Sequence, residues 1–68
     1  MKLKVLAYRP HPHQWHLCET ESGEKIRVDL LINGDFPEET TDESLVGKVV
    51  SVDSIYGYEF IARGVKIL

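Results

Sequence analysis

The stretch Gln14-Trp15-His16-Leu17-Cys18-Glu19-Thr20-Glu21-Ser22-Gly23-Glu24-Lys25-Ile26-Arg27-Val28-Asp29-Leu30-Leu31-Ile32 decides the fold. Two runs rich in β-branched and aromatic residues flank Glu21-Ser22-Gly23-Glu24, with a glycine where a turn needs positive φ, so the stretch reads as one β-hairpin. With Ser22 and Gly23 as the central pair, Thr20 opposes Lys25, Cys18 opposes Arg27 and His16 opposes Asp29. The other face then pairs Glu19 with Ile26, Leu17 with Val28 and Trp15 with Leu30. A four-residue loop gives the same pairing. Apart from Glu19 that face is apolar, and a slip of one residue would mix the faces, so the pattern favours this register. Trp15 and Leu17 are expected in the core, with His16, Cys18, Thr20, Lys25, Arg27 and Asp29 facing out.

Upstream, Lys2 to Tyr8 begins as an alternating strand, with Leu3, Val5 and Ala7 against Lys2 and Lys4. Pro10 and Pro12 end it, because proline lacks the N–H a sheet requires. Downstream, Asn33-Gly34 marks a turn. Within 35–46, either Asp35 or Thr41 can cap one or two helical turns, and Gly47 stops them. Lys48 to Ile55 is a further strand, Tyr56-Gly57-Tyr58 a tight connection, and Glu59 to Leu68 the last strand. At Gly64 the apolar phase moves from Phe60 and Ala62 to Val65 and Ile67, as a bulge would produce. No repeat, low-complexity segment or linker divides the chain, and residues 1–68 form one domain.

The order is strand, strand, strand, short helical insert, strand, strand. Closing so short a sheet on itself removes its edges. The hairpin Leu17–Ile32, the run Leu45-Val46-Gly47-Lys48-Val49-Val50 and the closing run Phe60 to Ile67 resemble the OB-fold in topology and spacing. The resemblance spans the chain and implies an all-β, five-stranded Greek-key barrel with a short helical insert between strands three and four. An SH3-like barrel is the alternative, but it has no natural place for the 35–46 insert. The OB-fold resemblance also implies that ligands lie across strands two and three, between the loop at 9–13 and the loop at 56–58.

Composition narrows the function classes. Hydrophobic residues make up 43% and charged residues 28%, as in soluble globular domains. No apolar run reaches the ~20 residues of a membrane span. The charged N-terminal segment does not fit a secretory signal, and one cysteine cannot form an internal disulfide, so a cytoplasmic protein is expected. The net charge is −3, which weighs against polyanion partners. Five of the eleven acids, however, fall between Asp35 and Glu43. The other six stand against eight bases, a balance of +2.

Tyr8 to Cys18 concentrates all three histidines, the tryptophan and the cysteine. His11, His13, His16 and Cys18 supply zinc-type donors, but they are not spaced as a tight knuckle, and loop histidines beside one cysteine explain them as well. Cys18 near a histidine is also the minimum for nucleophilic catalysis, yet no cleft or oxyanion donors accompany it. The expectation is a non-enzymatic module without a cofactor. Tyr8, Arg9, His11, His13, His16, Arg27, Tyr56 and Tyr58 would gather at the two loops and the outer hairpin face. Aromatics interleaved with cations suit single-stranded nucleic acid. The alternative is a protein-interaction or assembly module, with the chain as part of an oligomer, using the acidic 35–43 insert or an edge strand.

Overall fold

Strands β2 (Trp15–Thr20) and β3 (Lys25–Leu30) form the hairpin, but one residue away from the expected register. His16 opposes Val28, Leu17 opposes Arg27, Cys18 opposes Ile26 and Glu19 opposes Lys25. The turn is the cause. Gly23 N–H donates to the Thr20 carbonyl at 2.9 Å, and Thr20 N–H donates to the Glu24 carbonyl at 2.8 Å. Glu21-Ser22-Gly23 is therefore a three-residue loop, with Gly23 in the left-handed region at φ +87°. The Thr20 hydroxyl also accepts the Glu24 N–H at 3.1 Å. An odd loop shifts the pairing by one and turns every β2 side chain to the other face. His16 and Cys18 thus enter the core, while Trp15 and Leu17 turn outward beside Arg27.

The structure, a computed structural model, describes residues 1–10, 12–56 and 60–68. Strand β1 (Lys2–Arg9) pairs antiparallel with β2 and buries Leu3 and Val5. Leu6 is an extra residue: Val5 opposes Cys18, but Ala7 opposes Leu17. This bulge reverses the facing of the strand's second half. Tyr8 now lies on the core side next to His16, and Arg9 lies on the outer side opposite Trp15.

The remaining strands are β4 (Val49–Ser51), β5 (Ser54–Tyr56), β6 (Ile61–Arg63) and β7 (Lys66–Ile67). They complete a seven-strand sheet in the order β5-β6-β3-β2-β1-β4-β7. The fold is all-β as expected, with its strands in one seven-strand open sheet. Segmentation explains the count: the two expected C-terminal strands are each interrupted, at Val52-Asp53 and at Gly64-Val65. Val52 and Val65 are buried at these breaks. Gly64 sits at φ +66°, and a Cβ there would overlap the Asp53 carboxylate.

The expected helical insert reduces to one 3-10 turn, Glu43–Leu45; among the described residues there is no α-helix. Its N-cap is Asp42, which makes no side-chain cap hydrogen bond; the bracing comes from Thr41 just before it. The Thr41 hydroxyl accepts the Ser44 N–H at 3.1 Å, and its own N–H donates to the Ser44 hydroxyl at 2.8 Å. Asp35 caps nothing; its N–H donates to the Asn33 side chain at 2.8 Å. Phe36 and Leu45 plug the segment into the core formed with Leu3, Val5, Val28, Leu30 and Val50. Gly47 N–H donates to the Val5 carbonyl at 2.8 Å, and Lys48 accepts the Val5 N–H at 2.9 Å, tying the exit of the segment to β1. Among the described residues no helix is long and apolar enough to cross a membrane.

Candidate binding groove

The outward turn of β2 builds a groove that the expected register would have hidden. Trp15 lies half-buried on the outer face, opposite Arg9 on β1. Arg27, opposite Leu17 on β3, lays its guanidinium over the indole, 5.0 Å from the ring centroid. A guanidinium on an indole face is a cation–π contact, which leaves both groups at the surface while covering the ring. Phe60 stands at one rim, 58% exposed. Its carbonyl accepts the Asp29 N–H at 3.0 Å, which fixes its backbone to β3. His13 stands at the other rim. The groove measures about 730 Å³ and is lined by His13, Gln14, Trp15, Arg27, Asp29 and Phe60, together with Ile26 and Val28.

Both rim residues hold strained backbone. His13 has φ +59° and Phe60 φ +52°. Histidine tolerates this region better than phenylalanine, which gains nothing local to offset its Cβ clash. Strain of this kind on an exposed aromatic ring is characteristic of ligand clamps.

On the core side lies a different cluster. His16 is 1% exposed, and its Nε2 lies 3.0 Å from the Asp42 carbonyl. A carbonyl only accepts, so Nε2 carries the proton, and Nδ1 is buried without a partner. The Asp42 carboxylate lies 4.0 Å from Nε2, and His16 opposes Val28 rather than Asp29. The Tyr8 ring packs on the imidazole at a centroid distance of 4.8 Å. The Tyr8 hydroxyl reaches both the Asp42 carboxylate at 3.4 Å and Gln14 Oε1 at 3.5 Å, and donates its one proton to either. Desolvation, then the Asp42 carboxylate, holds the Tyr8 phenol above its ordinary pKa. Successive strand residues point to opposite faces. Asp42 meets the core-facing His16, and through the Tyr8 hydroxyl it also neighbours Gln14, a groove-lining residue.

The sequence-predicted residues therefore separate. His13 and Arg27 line the groove, and Arg9 adjoins it through Trp15. Tyr8 and His16 belong to the core-side cluster. Tyr56 lies on β5, where the Arg63 guanidinium sits 4.3 Å from its ring centroid. His11 and Tyr58 lie outside the described residues. Trp15, Phe60 and Arg63 are the side chains that the periodicity missed. Trp15 was hidden because an even turn fits the same residues.

The zinc-type donors also part company. His13 faces the outer groove, whereas His16 and Cys18 face the core. Among the described residues no three His, Cys, Asp or Glu side chains gather as a metal-binding set. Cys18 is fully buried, and burial pushes its thiol up to about 11, which leaves it protonated and a poor nucleophile at neutral pH. A scan against protein-family models finds no match, and searches among curated proteins and among solved structures find none either.

Proposed function

We propose that this chain is a non-catalytic binding module that takes single-stranded nucleic acid across the outer face of β1, β2 and β3. The observation that carries the reading is Trp15 under Arg27 in an open groove whose rim is an exposed, strained Phe60. Bases stack on such rings for about 1–3 kcal/mol each, and guanidinium groups pair with phosphate. Arg9 adds charge beside Trp15. Lys4 and Lys25 stand further along the same face, on either side of Glu19. Against the net charge of −3, the outer face gathers Arg9, Arg27, Lys4 and Lys25.

The fold reading belongs to the same proposal. β4 continues into β5, and β6 into β7, so both ends of the strand order are continuations of inner strands. β3 runs parallel to β6, and β1 antiparallel to β4. These pairings support an OB-like Greek-key barrel of five bent strands, in which the face carrying Trp15 is the ligand face.

Trp15 is the single tryptophan, so its emission reports the groove directly. Titration with mixed-sequence single-stranded oligonucleotides at low salt is expected to quench it saturably, and Arg27→Ala is expected to weaken binding about tenfold. Unchanged emission at every concentration would overturn the proposal. The second reading is a protein-interaction module. It is favoured by exposed Leu31 and Ile32 running into an acidic segment whose Asp35, Glu38, Glu39 and Glu43 are exposed. A concentration-independent monomer in sedimentation that also recovers no partner from its own cell extract would count against it.

A further inference from the structure

A second aromatic–cation pair stands on the same side of the sheet as the groove. Tyr56 opposes Ile61, and Ile61 lies beside Asp29, so these three form one outward row across β5, β6 and β3. The alternate row, Ile55, Ala62 and Leu30, packs into the core. Arg63, one outward position further along β6, reaches back to sit 4.3 Å from the Tyr56 ring centroid. Tyr56 is 42% exposed, and the exposed Phe60, which lines the groove with Trp15, immediately precedes β6, the strand paired with β5. The outer surface thus repeats one chemistry twice, a ring covered by a guanidinium, with Phe60 as a third ring.

We infer that Tyr56 and Arg63 form a second base platform, so that the ligand is a strand several nucleotides long crossing β2, β3, β6 and β5. This rests on the nucleic-acid reading of the groove and adds its direction and length. Three interstrand steps of about 4.8 Å separate β2 from β5, so the platforms stand roughly 14 Å apart. Stacked nucleotides advance about 3.4 Å, so a strand engaging both platforms needs about five nucleotides when stacked and fewer when extended. Once one platform is engaged, the second binds at high effective concentration, so affinity must rise with length until both are reached.

The test is Trp15 emission against oligothymidylates of two to eight nucleotides, with wild type, Tyr56→Ala and Tyr56→Phe. Wild-type affinity is expected to climb at least tenfold between two and about five nucleotides and then level off. Tyr56→Ala is expected to flatten that climb while leaving dinucleotide affinity unchanged, and Tyr56→Phe, which keeps the ring, to restore it. Thermal unfolding of each variant confirms that the exposed substitution leaves the fold intact. Wild-type affinity already saturated at two nucleotides, or a Tyr56→Ala curve matching wild type, would overturn the second platform while the groove stands. Absence of quenching at every length would overturn the groove and the second platform together.

Discussion

At Phe60 a phenylalanine sits at φ +52° with its ring largely in solvent. The left-handed conformation costs a non-glycine residue roughly 1–2 kcal/mol, and an exposed ring recovers little by burial. Phe60→Gly removes that strain and loses about 0.5–1 kcal/mol through the freer unfolded chain. The variant is expected to be as stable as wild type or up to about 1 kcal/mol more stable in urea, yet to bind oligonucleotides about tenfold more weakly. A variant both destabilised and unaffected in binding would mark Phe60 as structural. Cys18 gives a pH dependence whose sign is fixed. Its folded pKa, about 11, lies above the unfolded value near 8.5, so the folded state holds the proton more tightly. The associated stability is complete below about pH 8.5 and is lost as pH rises through 11, on the order of 2–3 kcal/mol. Unfolding free energies from pH 8 to 11 are expected to fall more steeply for wild type than for Cys18→Ala. At Tyr8, Asp42→Asn is expected to lower the phenol pKa partway toward its ordinary value, read by ultraviolet titration; the part due to desolvation persists. What the sequence made legible at this scale was uneven. Ile26, Val28 and Leu30 leave β3 one possible core face. In β2, Trp15 with Leu17 and His16 with Cys18 compete, and residue hydrophobicity favours the pair that the structure turns outward.

The β2–β3 turn decides that competition, and it does so through parity. Thr20 and Glu24 close a loop of three residues, and Gly23 takes the left-handed position that such loops require. An even loop, equally natural to Glu-Ser-Gly-Glu, would invert every β2 side chain, so the local sequence left the facing open. The Leu6 bulge in β1 was likewise invisible to alternation, because Leu6 and Ala7 are both apolar or small. The Gly64 interruption was legible, since the apolar phase changes there. Two glycine variants separate conformational strain from steric contact. Gly23→Ala faces open space, so only the φ penalty applies and a loss of about 1–2 kcal/mol is expected. Gly64→Ala adds overlap with the Asp53 carboxylate, so its loss is expected to be larger. Combining it with Asp53→Ala, which removes the carboxylate but keeps its Cβ, should recover most of the excess in a double-mutant cycle by chemical denaturation. Equal losses for the two single variants, with no coupling to Asp53, would contradict the close approach of the two interrupted strands.

Over the whole molecule the sheet separates two chemistries. On the core side, Asp42 holds Tyr8 and His16, and Phe36 and Leu45 plug the acidic segment down. On the outer side, Arg9, Arg27, Trp15 and Phe60 face solvent. Charge counting along the chain located the acidic segment, and the structure adds that Asp42 ties it to Tyr8 and His16. The all-β class was legible from alternation and turn residues; the segmentation into seven strands was not, because each break is a two-residue interruption inside a run that otherwise reads as one strand. The proposed ligand lies on the Trp15 face. Backbone amide shifts of the labelled protein, followed on addition of a mixed-sequence single-stranded oligonucleotide at low salt, locate it residue by residue. Perturbations at Trp15, Arg27 and Phe60, with residues 35–43 unmoved, are expected. Perturbations confined to residues 35–43, or none at saturating oligonucleotide, would contradict that placement.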